Sequence, residues 1–356
     1  MIMKRTLEYT SQPADFSAPF SPRRRQLLCL LALSPLSLRL QAQSALPAIR
    51  VSKLHCFTLR VTDLARSLNF YQTLFGMPVL TRLAGAVSLR IGAGPQFLTL
   101  QECQPGETPG IAHIGLSVPD LSVQAIAESL QARGLRERAV PAMSDELLSA
   151  ALQYWRAASP EAGVFLADRE GLLLQLCAPT WCGVDGGCTT LEPASTAGLL
   201  QLNDINHFTN YMGNAPAANQ FYLDLFGLRY QSYQGPTMPT IAVGDGRQFL
   251  MFVGGASEQA PQSPARIDHV SLSVENFDVE RILATLTQFG LSARAEPSVT
   301  PPWSHWVSMR MPNRGGAEGG TPELYFSDPD GLHIQLQHLN YCGGGGYLGD
   351  VCPALP

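Results

Sequence analysis

The residues best suited to chemistry lie on one face of a strand near the end of the sequence. The sequence Asp-Pro-Asp-Gly at 328–331 precedes this strand. It predicts a turn, because proline presets the backbone of a turn and glycine closes it. After the turn, His333 and Gln335 alternate with Ile334 and Leu336, so each pair shares a face. The apolar face suits a protein core. The other face carries an imidazole and an amide, which suit a polar ligand.

The surrounding sequence is duplicated. The pair Phe70-Tyr71 matches Phe221-Tyr222, 151 residues later, within longer matching segments. Self-similarity of this kind indicates repeated structural modules. The matching segments are 54–77 with 205–228, 111–120 with 267–276, and 165–182 with 325–342.

Histidine recurs at one position of this repeat. His113, His207 and His269 occupy it, and Cys56 fills it in the first copy. The neighbouring His55 is expected on the opposite face of its strand, unless a bulge shifts the register. A single histidine of this kind is more often a hydrogen-bonded structural residue than a ligand. Two at equivalent positions of paired repeats favour a functional site.

Helix signals place these strands in a regular order. Asp63 and Asn214 are expected N-caps, and Gly76 and Gly227 are expected to end the same helices. By the same spacing, Asp120 is the expected cap in the second copy. Alternating or apolar runs after each helix predict further strands.

These elements predict an α+β chain of four modules, each a strand, a helix and several strands. Modules one and two fill residues 50–190, modules three and four fill residues 203–356, and residues 191–202 form the linker. A chain of 356 residues with 45% hydrophobic content can bury more than one core.

Charge excludes some partners. The net charge is −5 and the isoelectric point is about 5.8, which argues against nucleic acid because that partner requires a basic surface. Lysine occurs only at Lys4 and Lys53. A lysine nucleophile or phosphate clamp is therefore not expected.

Residues 1–45 have the composition of an export signal. Arginines at 23–25 precede an apolar run, and small residues follow it. The segment resembles a twin-arginine signal read by export machinery, and the run is too short for a membrane span. The mature protein is expected to be periplasmic or secreted, without a membrane anchor. Disulfides are favoured there over metal knuckles, and the expected pairs are Cys182–Cys188 and Cys342–Cys352.

The four modules, the Phe-Tyr-x-x-Leu-Phe-Gly helix ending and the Asp-Pro-Asp-Gly strand resemble the vicinal oxygen chelate superfamily. This superfamily includes glyoxalase I, bleomycin-resistance proteins and extradiol dioxygenases. The resemblance implies four βαβββ modules paired into two cup-shaped mixed β-sheets with helices outside. It also implies a divalent metal in a cup, held by residues of the first and last strands.

Carried over to this chain, the resemblance implies His207, His269 and Gln335 as ligands in the second cup. Ring-cleaving relatives have glutamate at the last position, and glyoxalase relatives can have glutamine. His333 is an alternative third ligand, since it lies two residues away on the same face. The first cup, with Cys56, His113 and Gln175 at these positions, is expected to be a scaffold or a vestige.

Two further residues have expected roles near the metal. Tyr325 matches a family tyrosine close to the substrate, although an aromatic in a strand can also be core. His305, between two tryptophans, is an expected acid or base at the cup mouth, with a surface role as the alternative.

Three functions remain open from the sequence. The first is a non-haem Fe(II) dioxygenase acting on a catechol-like substrate. The second is a glyoxalase-like lyase or isomerase with zinc or nickel. Fe(II) is the expected metal of the site, and zinc, nickel and manganese are the alternatives. The third is a metal-free protein that binds a small molecule.

Overall fold

The fold was obtained as a computed structural model. The expected export signal at residues 1–45 lies outside the described residues, as does Cys188. Among the described residues, no helix is long and apolar enough to cross a membrane. The structure describes residues 46–139, 152–183, 192–235, 238–244, 247–256, 265–346, 349 and 351–352.

Two mixed sheets of nine strands dominate the described chain. The first has the order β2-β3-β4-β1-β5-β9-β8-β7-β6, and the second has the order β11-β12-β13-β10-β14-β18-β17-β16-β15. The first sheet comprises β1 (Lys53–Val61), β2 (Val79–Leu83), β3 (Ala86–Arg90), β4 (Phe97–Glu102), β5 (Gly110–Ser117), β6 (Arg136–Glu137), β7 (Gln153–Arg156), β8 (Val164–Ala167) and β9 (Leu173–Cys177). The second comprises β10 (Leu202–Met212), β11 (Tyr230–Tyr233), β12 (Pro239–Ala242), β13 (Phe249–Gly254), β14 (Arg266–Val274), β15 (Ser292–Ala293), β16 (Ser304–Arg310), β17 (Thr321–Ser327) and β18 (His333–His338).

A helix follows the first strand of each module, so the predicted fold class is confirmed. The described α-helices are α1 (Leu64–Phe75), α2 (Val123–Ala132), α3 (Ala215–Phe226) and α4 (Val279–Phe289), and a short 3-10 helix spans Pro312–Arg314. The linker and domain boundaries predicted from the sequence stay predictions.

The helix signals are mostly confirmed. Asp63 caps α1 and Asn214 caps α3, each accepting a main-chain N–H three residues later. Gly76 and Gly227 end these helices in the left-handed conformation. The cap predicted at Asp120 is wrong. Asp120 has a φ of 54°, and the side chain of Ser122 caps α2 instead, because two extra loop residues precede this helix.

The two sheets share one buried core. Phe57 of β1 packs edge-to-face on Phe208 of β10, with 5.7 Å between ring centroids, and both are buried. Gln96 joins the sheets with hydrogen bonds, donating to Leu54 O at 2.6 Å and accepting from Ile205 N at 3.3 Å. The halves are therefore bound through their first strands.

The Asp-Pro-Asp-Gly turn also links the halves. Asp328 Oδ1 accepts main-chain N–H bonds within the turn at 2.9 Å, and its Oδ2 accepts from the Tyr71 hydroxyl at 3.0 Å. The equivalent bond joins Tyr222 to Asp168 at 2.9 Å. Both tyrosines come from the repeated Phe-Tyr helix motif, so these two sequence signatures meet in a structural contact.

Candidate metal centre

The second sheet curves around a cavity of about 740 Å³. The residues that line it come from β10, β13, β14, β16, β17 and β18 and from the loops between strands. The donor-bearing residues that line it are His207, Asp268, His269, Glu323, Tyr325, His333 and Gln335.

His207, Ser271 and Gln335 form one row across three strands. His207 of β10 lies opposite Ser271 of β14, and Ser271 lies beside Gln335 of β18. His269 lies on the same face of β14, two residues before Ser271, since alternate residues share a face. The rings of His207 and His269 are 5.6 Å apart between centroids and nearly perpendicular. The structure therefore brings together the three residues expected as ligands.

Each of the two imidazoles is fixed by its preceding residue. His207 Nδ1 donates to Asn206 Oδ1 at 2.7 Å, and His269 Nδ1 donates to Asp268 Oδ2 at 2.9 Å. Metal-binding histidines typically have their second nitrogen anchored in this way. Burial, followed by the neighbouring His269, lowers the pKa of His207 well below its usual value. His207 is therefore neutral, the form that binds metals.

Two buried polar atoms lie unpaired in the same row. Ser271 Oγ and Gln335 Nε2 have no hydrogen-bond partner within the described part of the chain. Buried polar groups are normally paired. These two polar groups, beside two anchored imidazoles, are available to bind a polar ligand or a metal ion.

The equivalent place in the first sheet is satisfied internally. Gln175 Oε1 accepts from His113 Nε2 at 3.1 Å and, more weakly, from Cys56 Sγ at 3.8 Å, while its Nε2 donates to Ala162 O at 2.9 Å. Burial lowers the pKa of His113 to about 4. Trp155 stacks on Phe165 beside them, with 5.7 Å between centroids. These contacts support a scaffold role for the first cup.

A bulge in β1 shifts the register at His55, the exception to its expected position on the opposite face of the strand. The pairing of β1 with β5 shifts between Leu54 and Cys56, so His55 is not on the helix-facing side. Its Nε2 lies 2.7 Å from Trp181 O, and its ring meets Phe97 edge-on. Cys56 therefore keeps the position equivalent to His207, as the repeat predicts.

Aromatic residues form one wall of the second cavity. Tyr325 lies edge-on to His269 at 5.2 Å between centroids and stacks on Trp306 at 5.3 Å. Burial raises the pKa of Tyr325 well above its usual value, so its hydroxyl stays protonated. His333 contacts the edge of Trp306 at 5.3 Å and lines the cavity, and burial lowers its pKa.

The placement expected for His305 is wrong. Its Nε2 lies 2.9 Å from Thr287 Oγ1 of α4, on the helix side of the sheet. Alternation along β16 explains this, since Trp306 is the residue that faces the cavity. The structure gives His305 no contact with the proposed substrate space.

Comparison with known proteins agrees with this architecture. Residues 53–154 match the model of the glyoxalase/bleomycin resistance protein/dioxygenase superfamily. This segment resembles the superfamily, and the match covers less than half of the chain. No curated protein sequence matches it significantly.

Solved structures share the fold at low sequence identity. A homoprotocatechuate 2,3-dioxygenase from Arthrobacter globiformis has 17% identity and a TM-score of 0.55, with 82% of this chain and 81% of that one covered. An Mn(II)-bound glyoxalase from Novosphingobium aromaticivorans has 15% identity and a TM-score of 0.55, with 86% and 88% covered. An anaerobic complex of the Brevibacterium fuscum dioxygenase with 3,4-dihydroxyphenylacetate gives a TM-score of 0.54 at 17% identity, with 82% and 81% covered.

The side chains of His207, His269 and Gln335 form a donor set that fits a divalent metal ion. Two imidazoles and one amide oxygen can bind one face of such an ion and leave positions open. Within the described chain, no cluster of three or more His, Cys, Asp and Glu residues is placed to bind a metal; the set of His207, His269 and Gln335 consists of two imidazoles and an amide. Such a set supplies no negative charge to the ion.

Sequence reasoning missed two acidic residues of the cavity. Glu323 accepts from buried Arg310 at 3.1 Å and from the Tyr341 hydroxyl at 3.2 Å. Asp268 anchors His269. Strand alternation could have found Glu323, which shares a face with Tyr325 on β17. No comparable signal identifies Arg310, whose partners include main-chain oxygens of Gly343 and Gly344, more than 30 residues along the chain.

One predicted disulfide is present. The structure joins Cys342 to Cys352, with 6.0 Å between their Cα atoms. Because Cys188 lies outside the described residues, the pairing of Cys182 with Cys188 stays a prediction.

Proposed function

We propose that this protein is a metal-dependent enzyme whose second cup binds Fe(II) and a small catechol-like substrate in dioxygenase chemistry. The observation that carries the proposal is the row of His207, Ser271 and Gln335, with anchored imidazoles and unpaired buried polar atoms. His207, His269 and Gln335 hold the metal, and His333 is the alternative third ligand. When bound, Fe(II) brings substrate oxygens and O₂ together and conducts electrons between them.

The charged residues that line the cavity determine which charge of the substrate is favoured. Within the described lining, Asp268 is paired with Arg266 at 3.0 Å, and Glu323 is paired with buried Arg310. Arg294 and Arg314 also line the cavity. Because the three metal donors are neutral, a bound divalent ion adds positive charge to this surface. The cavity therefore favours an anionic substrate that contributes its own negative oxygens.

The aromatic wall of the cavity favours a planar substrate. Trp306 stacks on Tyr325 and lies under the Arg294 guanidinium, whose carbon is 4.4 Å from the ring centroid. Flat rings pack favourably on such surfaces. A planar substrate can lie along this wall with its oxygens at the metal and a carboxylate near Arg294. Tyr325, which stays protonated, donates a hydrogen bond to a substrate oxygen.

Glyoxalase-like lyase or isomerase chemistry is the second candidate. It requires a carboxylate near the reacting carbon, and Glu323 supplies one in the cavity wall. In this case a zinc, nickel or manganese ion acts as a Lewis acid. The reaction then proceeds without O₂, which separates it from the first candidate.

We also propose that the mature protein is exported to the periplasm or secreted. The arginine-led apolar segment within residues 1–45 and the disulfide Cys342–Cys352 support this proposal.

Oxygen uptake tests the proposed reaction. Protein loaded anaerobically with Fe(II) is mixed with 3,4-dihydroxybenzoate-type catechols, and dissolved O₂ and ring-opened product are followed together. Equal consumption of O₂ and catechol, absent in His207→Ala, is the expected result. Turnover of 2-oxoaldehyde adducts under nitrogen would favour the second candidate. Ligand binding that needs no metal would contradict both and leave a binding protein.

A further inference from the structure

The residue before His207 joins the metal row to a distant part of the chain. Asn206 is buried, with 2% of its surface exposed. Its Oδ1 accepts from His207 Nδ1 at 2.7 Å, and its Nδ2 donates to the main-chain oxygen of Tyr341 at 2.8 Å. One side chain thus connects an imidazole on β10 with the loop after β18.

These two bonds determine the form of the imidazole. A main-chain carbonyl can only accept, so Asn206 must present its NH₂ group to Tyr341. Its oxygen is then directed to His207, and Nδ1 of that ring must carry the hydrogen. Nε2 is left with its lone pair for the cavity. The Tyr341 carbonyl therefore selects the metal-binding tautomer of His207 through Asn206.

Tyr341 is itself held on several sides. Its hydroxyl donates to Glu323 at 3.2 Å and accepts from Gln234 Nε2 at 3.1 Å. Its ring lies 5.6 Å from that of His207. The next residue is Cys342, which forms the disulfide with Cys352 and donates its main-chain N–H to Gly349 O at 3.2 Å. The disulfide thereby ties down the segment that carries the deciding carbonyl.

The first sheet repeats this contact without a metal row. His55 occupies the place of Asn206 and bonds the oxygen of Trp181, the residue before Cys182. There the following residue is Cys56, whose partner Gln175 is satisfied internally. The side-chain bond to the main-chain oxygen before the cysteine is therefore a structural feature of the repeat. It can also orient a metal-binding imidazole only where a histidine is the next residue, as in the second sheet.

We propose that Asn206 and the Tyr341 carbonyl are positioning groups for His207, and that the Cys342–Cys352 disulfide sets metal affinity by holding Tyr341 in place. This proposal rests on the metal centre of the proposed function. Substituting such an anchoring partner typically weakens metal binding about 10–100-fold. Opening the disulfide acts through the same contact, so the affinity falls in the same direction.

Cobalt binding tests the proposal without an activity assay. Co(II) titration of the mature protein gives a dissociation constant and a visible ligand-field spectrum. The variants are Asn206→Leu, which removes both bonds at similar volume, and Cys342→Ser/Cys352→Ser. His55→Leu is the matched control in the first sheet. Circular dichroism and thermal unfolding of the metal-free proteins show that each variant is folded.

The expected result is a dissociation constant raised about 10–100-fold in Asn206→Leu, a smaller rise in the cysteine variant, and none in His55→Leu. Wild-type affinity in folded Asn206→Leu and in the folded cysteine variant would overturn this inference and leave the metal centre standing. An equal loss in His55→Leu would also overturn it, since the effect would then be structural. No Co(II) binding by the wild type would instead refute the proposed function.

Discussion

The buried carboxyl of Asp328 makes stability depend on pH in a defined direction. Burial raises its pKa from 3.8 to about 6, against the opposing hydrogen bonds from Leu332, Asp330 and Tyr71. Each pKa unit is worth about 1.4 kcal/mol, so ionising Asp328 in the folded protein costs about 2–3 kcal/mol more than in the unfolded chain. Well below pH 3.8 the folded and the unfolded protein both hold the proton, and the cost is absent. Stability is lost as the pH rises through 6.

Asp328→Asn removes this titration and keeps the contacts. The amide oxygen still accepts from the turn, and the amide NH₂ can donate to the Tyr71 hydroxyl. Urea unfolding of wild type and variant from pH 3.5 to 8 is the assay. We expect equal free energies of unfolding near pH 3.5 and a variant more stable by about 2–3 kcal/mol above pH 6.5.

Two further variants serve as comparisons for the pH dependence of unfolding, and one result would contradict it. Asp168→Asn should behave alike, because burial also raises the pKa of Asp168 to about 6 beside Tyr222. Tyr71→Phe should shift the loss of stability to higher pH, since the hydroxyl favours the ionised carboxylate. Parallel curves for wild type and Asp328→Asn from pH 4 to 8 would refute the reasoning.

Three further changes test other parts of the structure. Gln335→Glu adds a negative donor and should lower the Fe(II) dissociation constant at least 10-fold by competition with a chelator, whereas Gln175→Glu should have no effect; equal effects would contradict the assignment of the second cup. Arg294→Gln should raise KM for a carboxylated catechol several-fold and leave KM for unsubstituted catechol unchanged in steady-state assays, and a change common to both would refute the charge argument. Phe57→Ala should cost about 3–5 kcal/mol in urea unfolding, since it empties part of the core between the sheets; a cost under 1 kcal/mol would show that this contact does not hold the halves together.

Much of the fold follows from local sequence. Asp63, Gly76 and their counterparts mark helix ends because capping is a contact between residues close in the chain. The repeat adds information that one module lacks, since it places Cys56, His113, His207 and His269 at equivalent positions. Alternation then assigns each to a face, and the structure follows that assignment for His207 and His269.

What the sequence did not predict depends on long-range contacts. Arg310 is fully buried because carbonyls of Gly315, Gly343 and Gly344 and the carboxylate of Glu323 surround it. No local sequence pattern predicts such a set of hydrogen-bond partners. The position of His305 does follow from local sequence. Strand alternation places Trp306 in the cavity and therefore its neighbour His305 on the helix side, although the flanking tryptophans suggested a role for His305 at the cavity.

Metal content most directly tests the central claim. Elemental mass spectrometry of protein purified from its native host compares wild type with His207→Ala/His269→Ala and with His113→Ala as the control. We expect about one divalent metal per chain in the wild type and in the control, and loss of that metal in the double variant, because two of three donors are removed. Metal retained in the double variant and lost in His113→Ala would place the site in the first cup and contradict the account.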